Sequence, residues 1–119
     1  MRLTIEPSAL KADLIAFGAR NNLRPTRLEV IGPSKDVESD FWLEDGLLLS
    51  GLDLDVDGKS GPYIEIMLQS QAKNHMTRSI AAVKRVELET NQGIDDSLEI
   101  EDAAGTVTIM RFEGKVTLD

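Results

Sequence analysis

The chain predicts an α+β domain, an antiparallel sheet of about five or six strands with one N-terminal helix packed on its apolar face. Three observations carry this reading. Leu52, Leu54 and Val56 alternate with Asp53, Asp55 and Asp57, and after Gly58-Lys59-Ser60-Gly61 the alternation resumes at Ile64, Ile66 and Leu68. That is a β-hairpin with one oily face. A second hairpin alternates Leu98 and Ile100 with Glu99 and Glu101, turns through Asp102-Ala103-Ala104-Gly105 and returns as TVTIMRF. Clear helical spacing occurs once, at Leu10, Leu14 and Phe17, so short turns rather than crossover helices connect the strands. At 119 residues the chain fits a single domain, 1–119, long enough to bury a core without metal or disulfide staples.

Each element has its local reason. Pro7-Ser8 opens a helix over 8–20, with Ser8 placed to cap it and Ile15 widening the apolar stripe; Asn21-Asn22 and Pro25 end it. Residues 27–31 (RLEVI) read as a short strand stopped by Gly32-Pro33, and a polar acidic loop leads to Phe41-Trp42-Leu43. Residues 47–49 belong to a strand whose inward phase switches across Ser50-Gly51, the mark of a β-bulge. Residues 69–82 lose the two-residue period and read as a helical turn or short helix. The strand over 83–90 points Val86 and Leu88 inward, Glu87 and Glu89 outward; in the last strand Val107 and Ile109 face inward. The predicted core is Leu10, Leu14, Phe17, Leu28, Val30, Leu52, Leu54, Val56, Ile64, Ile66, Leu68, Val86, Leu88, Leu98, Ile100, Val107 and Ile109.

Charge narrows the partners. The formal charge is -8, with six Lys/Arg against three Asp/Glu in residues 1–35 and seven against eighteen in 36–119. Such a field repels phosphate backbones and anionic lipid heads, so neither direct nucleic-acid nor membrane binding is expected. No cysteine is present, which removes disulfides, thiolate metal sites and thiol nucleophiles and fits a reducing compartment, the cytoplasm. No charged-then-apolar leader opens the chain, and no apolar run approaches the roughly 20 residues that span a bilayer.

Four constellations invite a functional reading. Asp53, Asp55, Asp57 and Gly58 spell D-x-D-x-D-G, the opening of a calcium loop, but Ile64 stands where the closing bidentate Glu belongs and Ser60 where a short apolar residue belongs. The hairpin with an acidic solvent face is preferred. That face collects Asp53, Asp55, Asp57, Glu65, Glu87, Glu89, Glu99 and Glu101, and any register that pairs the apolar residues sets Glu65 opposite an aspartate, at some cost. It reads as a docking surface for a basic partner, a weak divalent-cation site, a mimic of a phosphate backbone, or simply a soluble sheet face. The basic island 73–85 carries Lys73, Arg78, Lys84 and Arg85; with His75, Lys73 and Arg78 form a candidate small-anion site, weighed against self-neutralisation by the acidic strands. His75 is the sole histidine and has no nucleophile or acid beside it in sequence, so a structural role is preferred to general-base chemistry. Phe41 and Trp42 read as core residues, with an exposed member of that pair, or Tyr63, as the alternative anchor for a subunit or partner. No nucleophile elbow, P-loop or dinucleotide glycine fingerprint occurs, and no cofactor is expected.

Trp42, the 52–68 hairpin, HMTRSI at 75–80 and LEIEDAAGTVTIMRF at 98–112 follow one another in an order that resembles a family of short bacterial proteins of unassigned function. Ser79-Ile80 stand where that family's pattern has a proline soon after the arginine. The resemblance implies a small α+β fold and supplies no activity, substrate or catalytic residue. The sequence therefore predicts a non-catalytic binding or interaction module, homo-oligomeric through an edge strand, with a small-anion or metabolite binder and an acidic mimic of nucleic acid as alternatives.

Overall fold

The computed structural model describes residues 1–33, 37–41, 47–56, 61–70 and 74–112, with the backbone alone over Val37–Phe41. Trp42, Asp57 and Lys73 lie outside the described residues. In chain order the elements are β1 (Arg2–Thr4), a 3-10 turn (Pro7–Ala9), α1 (Leu10–Arg20), β2 (Pro25–Ile31), β3 (Val37–Phe41), β4 (Leu47–Asp55), β5 (Tyr63–Gln69), β6 (His75–Ile80), β7 (Val83–Asn91), β8 (Ile94–Asp102) and β9 (Val107–Phe112). The fold is α+β, with one α-helix among the described residues and one antiparallel sheet. Five or six strands was an undercount. Eight strands follow the order β1-β7-β8-β9-β2-β4-β5-β6, and β3 adds to β2 off that path.

The strand order cannot be laid out flat. Only Ala81 and Ala82 link β6 to β7, yet β8, β9, β2, β4 and β5 lie between them in the sheet. Six inter-strand steps would separate them by about 29 Å in a plane, whereas that link reaches about 11 Å at most. The sheet is therefore rolled until its flanks meet at this corner. There the Val83 N–H donates to the Pro62 carbonyl and the Ala103 N–H to the Ala82 carbonyl, both at 2.9 Å. β6 and β7 act as one strand bent at Ala82, whose positive φ of 52° makes the corner.

The core fills the inside of the roll. Leu28, Leu49, Ile64, Ile66, Leu68, Leu98, Ile100 and Met110 are fully buried there, and α1 adds Leu10, Leu14 and Phe17 to the same cluster. Leu52, Leu54, Val56 and Leu88, expected in the core, are only partly buried against it. Ser8 does not cap the helix: it lies in the 3-10 turn, and the α1 N-cap, Ala9, makes no side-chain cap.

The expected β-bulge is present. The β4–β5 register shifts between Leu49 and Gly51, so Leu49 and Leu52 both face inward, opposite Leu68 and Ile66. The same register sets Asp53 directly opposite Glu65. Two further expectations fail. Residues 69–82 are not helical, because His75–Ile80 pairs along β5 from Gln69↔His75 to Ile64↔Ile80. Its inward positions are Met76, Arg78 and Ile80, and the arginine in the middle breaks the apolar period that identifies a strand.

In β9 the inward phase is reversed. The 102–106 turn is closed by a bond from the Asp102 N–H to the Thr106 carbonyl, while the Asp102 carboxylate accepts from the Ala104 and Thr106 N–H groups. This fixes Leu98↔Met110 and Ile100↔Thr108, and a one-residue difference in register moves a whole strand's side chains across the sheet. Thr108 and Met110 thus face the core, while Val107 and Ile109 lie on the outer face. Ile109 is buried there nonetheless, between Glu29 and Glu99 on the adjoining strands. Met110→Ala should then lower unfolding stability in urea by about 2–5 kcal/mol, and Val107→Ala by less than about 1 kcal/mol; equal losses would contradict this phase.

Candidate functional site

Arg78 is the unusual residue of the interior. It stands opposite Ile66, on the face that carries Ile64, Leu68 and Ile80, and is partly buried. Because the sheet is rolled, its side chain crosses to β9, where Nε and Nη2 donate to Thr108 Oγ1 at 3.4 and 3.3 Å. Thr108 is 1% exposed. A guanidinium offers five N–H donors in a fixed fork that matches carboxylate and phosphate. One hydroxyl occupies part of that fork, and among the described residues no carboxylate is paired with it. The arrangement is suited to receive an oxyanion at the inward side of β6.

The Lys73, His75 and Arg78 set does not form one cradle. His75 and Arg78 are three positions apart on a strand, so they project from opposite faces, and His75 is exposed on the outer one. Lys73 lies outside the described residues. Arg85 of the same basic island is taken up by acids of the outer face, as self-neutralisation predicts.

The outer face divides into two parts. On β4 and β5, Asp53 and Asp55 are exposed, Asp53 Oδ1 accepts the Leu54 N–H at 3.0 Å, and Tyr63 donates its hydroxyl to Glu65 Oε1 at 2.8 Å. Tyr63 does lie on the acidic face, but partly buried. With Leu54 these residues line a shallow depression. Asp53 and Asp55 ride on a paired strand instead of wrapping a centre, and among the described residues no group of three His, Cys, Asp or Glu is placed to hold a metal.

On β7, β8 and β2, Glu87, Glu99, Glu101 and Glu29 are paired with arginines, while Glu89 is exposed. Arg2 bridges Glu87 and Glu99; Arg85 binds Glu87 and also Glu101, the latter at 3.0 Å; Arg111 and Arg27 reach Glu29 at 3.3 and 3.7 Å. Glu87 and Glu99 thus belong to an alternating ladder of both signs. The Arg2 hydrogen bond, with help from Arg85, holds the Glu87 carboxyl below its ordinary value against the opposing effect of burial. Hydrogen bonds to Glu87 and Glu101 hold the Arg2 and Arg85 guanidinium groups, respectively, above theirs.

Sequence reasoning missed a second polar cluster, at the helix end. Asp95 and Asn21 are 7% and 2% exposed. Asn21 donates to Asp95 Oδ2 at 2.7 Å and to the Phe17 carbonyl at 2.8 Å. Arg20 pairs with Asp95 at 3.0 Å, and Arg24 donates to Asn21 Oδ1 and the Asp95 carbonyl, each at 2.8 Å, while covering the Phe112 ring at 4.2 Å. Its only sequence signals are the Asn pair that ends the helix and the Asp pair after Gly93. Every member is satisfied by another, so the cluster ties α1 to β8 and leaves no group aimed at a ligand.

No family model matches this chain, and neither does any curated protein or solved structure. No helix among the described residues is long and apolar enough to cross a membrane.

The Glu87 environment has a pH consequence. A carboxyl depressed in the folded state contributes stability above its unfolded value and loses it as pH falls through the folded one. The wild-type chain should therefore lose urea stability between neutral pH and about pH 3 more steeply than Glu87→Gln, which lacks this titration. Parallel pH profiles of the two proteins would show that Glu87 is not held by Arg2 and Arg85.

Proposed function

We propose that the chain is a non-catalytic binding module whose ligand carries a carboxylate or phosphate group, received by Arg78 with Thr108 beside it. The observation that carries this reading is a guanidinium on the core-facing side of β6 whose described side-chain partner is a hydroxyl. An arginine placed so costs desolvation that a paired oxyanion would offset. The reading includes no cofactor and a cytoplasmic address in keeping with the absence of cysteine.

Titrating ¹⁵N-labelled protein with inorganic phosphate and, separately, succinate tests it. Saturable amide shifts should centre on residues 76–80 and 107–109. Arg78→Met should weaken binding by roughly tenfold or more, the usual worth of a hydrogen bond to a charged group, with Arg78→Lys in between and the circular dichroism spectrum unchanged. Equal shifts in the wild type and Arg78→Met would sink the proposal.

A second reading, homo-oligomerisation through an edge strand, is favoured by β6. No other described strand covers its outer side. The Ser70 N–H bond to the Asn74 carbonyl marks that pair as hydrogen-bonded, and alternation along the ladder then turns the backbone groups of His75, Thr77 and Ser79 outward. Two copies paired antiparallel about Thr77 would use all three and set Arg78 opposite Met76 of the second copy, away from its own charge. Light scattering at high concentration should find a dimer that Thr77→Pro abolishes; a wild-type monomer would rule this reading out.

A further inference from the structure

The groove between β1 and α1 is separate from Arg78 and stands on its own observations. It encloses about 350 Å³. Its floor is apolar, formed by Leu3, Ile5, Ala9 and Leu88, and Leu3 is 47% exposed. Its walls carry Glu6, Asp13 and Arg20. Arg20 is already held by Asp95, whereas Glu6 and Asp13 are exposed and have no cation paired to them among the described residues. The groove thus combines an uncovered leucine with two available carboxylates.

The backbone beside it is also available. Met1 and Thr90 exchange both backbone hydrogen bonds, and the Ile5 N–H donates to the Val86 carbonyl. These bonds fix the parity of the β1–β7 ladder, so Arg2 and Thr4 direct their N–H and C=O groups away from β7. No described strand takes them up. An extended segment laid along this side would bond to Arg2 and Thr4 and project alternate side chains over Leu3 and Ile5.

We infer that this groove receives an extended segment of a basic partner protein, in which an apolar side chain and a Lys or Arg lie two residues apart. The apolar side chain covers Leu3. The cation, on the same face of the added strand, meets Glu6 and Asp13. Glu6 and Asp13 attract such a segment and repel an acidic one, in a chain whose net charge is -8.

The probe is the capped peptide Ser-Lys-Ser-Leu-Ser-Lys-Ser, which presents the pattern in either strand direction, titrated into the labelled full chain. Amide shifts should be saturable in the millimolar range and confined to residues 2–6, 9–13 and 86–90. Replacing its lysines by glutamate, or its leucine by serine, should remove them. Asp13→Asn, on the exposed helix surface, should weaken binding roughly two- to fivefold, the range of one exposed ion pair; Leu3→Ser should weaken it at least as much. The inference is overturned by absence of shifts, by shifts spread over β4 and β5, by equal binding of the glutamate peptide, or by equal shifts from hexylamine, which would make the groove a small-amine site.

Discussion

Ala81 and Ala82 constrain everything else in this molecule. Two residues cannot carry the chain between strands on distant parts of a flat sheet, so the sheet has to roll, and rolling gives a small domain an enclosed core without a second layer. One face of nearly every strand then turns inward. A single helix suffices to add the remaining apolar contact through Leu10, Leu14 and Phe17. Without the roll, Arg78 and Thr108 would lie on strands separated by β5, β4 and β2, beyond the reach of any side chain.

The outer face obeys a different rule. Where β1 runs beside β7, the directly opposed Glu87 and Glu99 are tolerated because the Arg2 guanidinium bridges them. The β4–β5 hairpin contains no such arginine, and there Asp53 faces Glu65 without relief from a described cation. Individually these surface pairs are weak. Collectively they decide where the acidity of the chain is neutralised and where it is presented to solvent.

Much of this was legible from alternation alone: the two acidic hairpins, the bulge at Ser50-Gly51, the inward phases of β5, β7 and β8, and the opposition of Glu65 to an aspartate. What was not legible has specific physical causes. β1 is too short to show a period, and β6 hides its period behind Arg78. Val107 and Ile109 are apolar and so suggest the opposite phase for β9, but the hydrogen-bonded turn at Asp102 sets the register and Met110 fills the core. The candidate ligand set failed as a set for the same reason: His75 and Arg78 are near in sequence, but a strand sends them to opposite sides. Asp95 with Asn21 and Arg24 joins segments far apart in sequence, a contact that no local pattern encodes.

The bent strand also divides the chain into two neighbourly halves. β4-β5-β6 and β7-β8-β9 are each meanders of consecutive strands, and among the described strands only β2, synthesised before either, pairs with a strand of each, through Pro25 and Thr26 at the start of β4 and through residues 26–31 along β9. Local zippers of this kind form quickly, whereas joining them must wait for a long excursion of the polypeptide to close. β2 is thus the keystone of the assembly pathway: each meander can organise by itself, and the cylinder exists only once that strand has slotted between them.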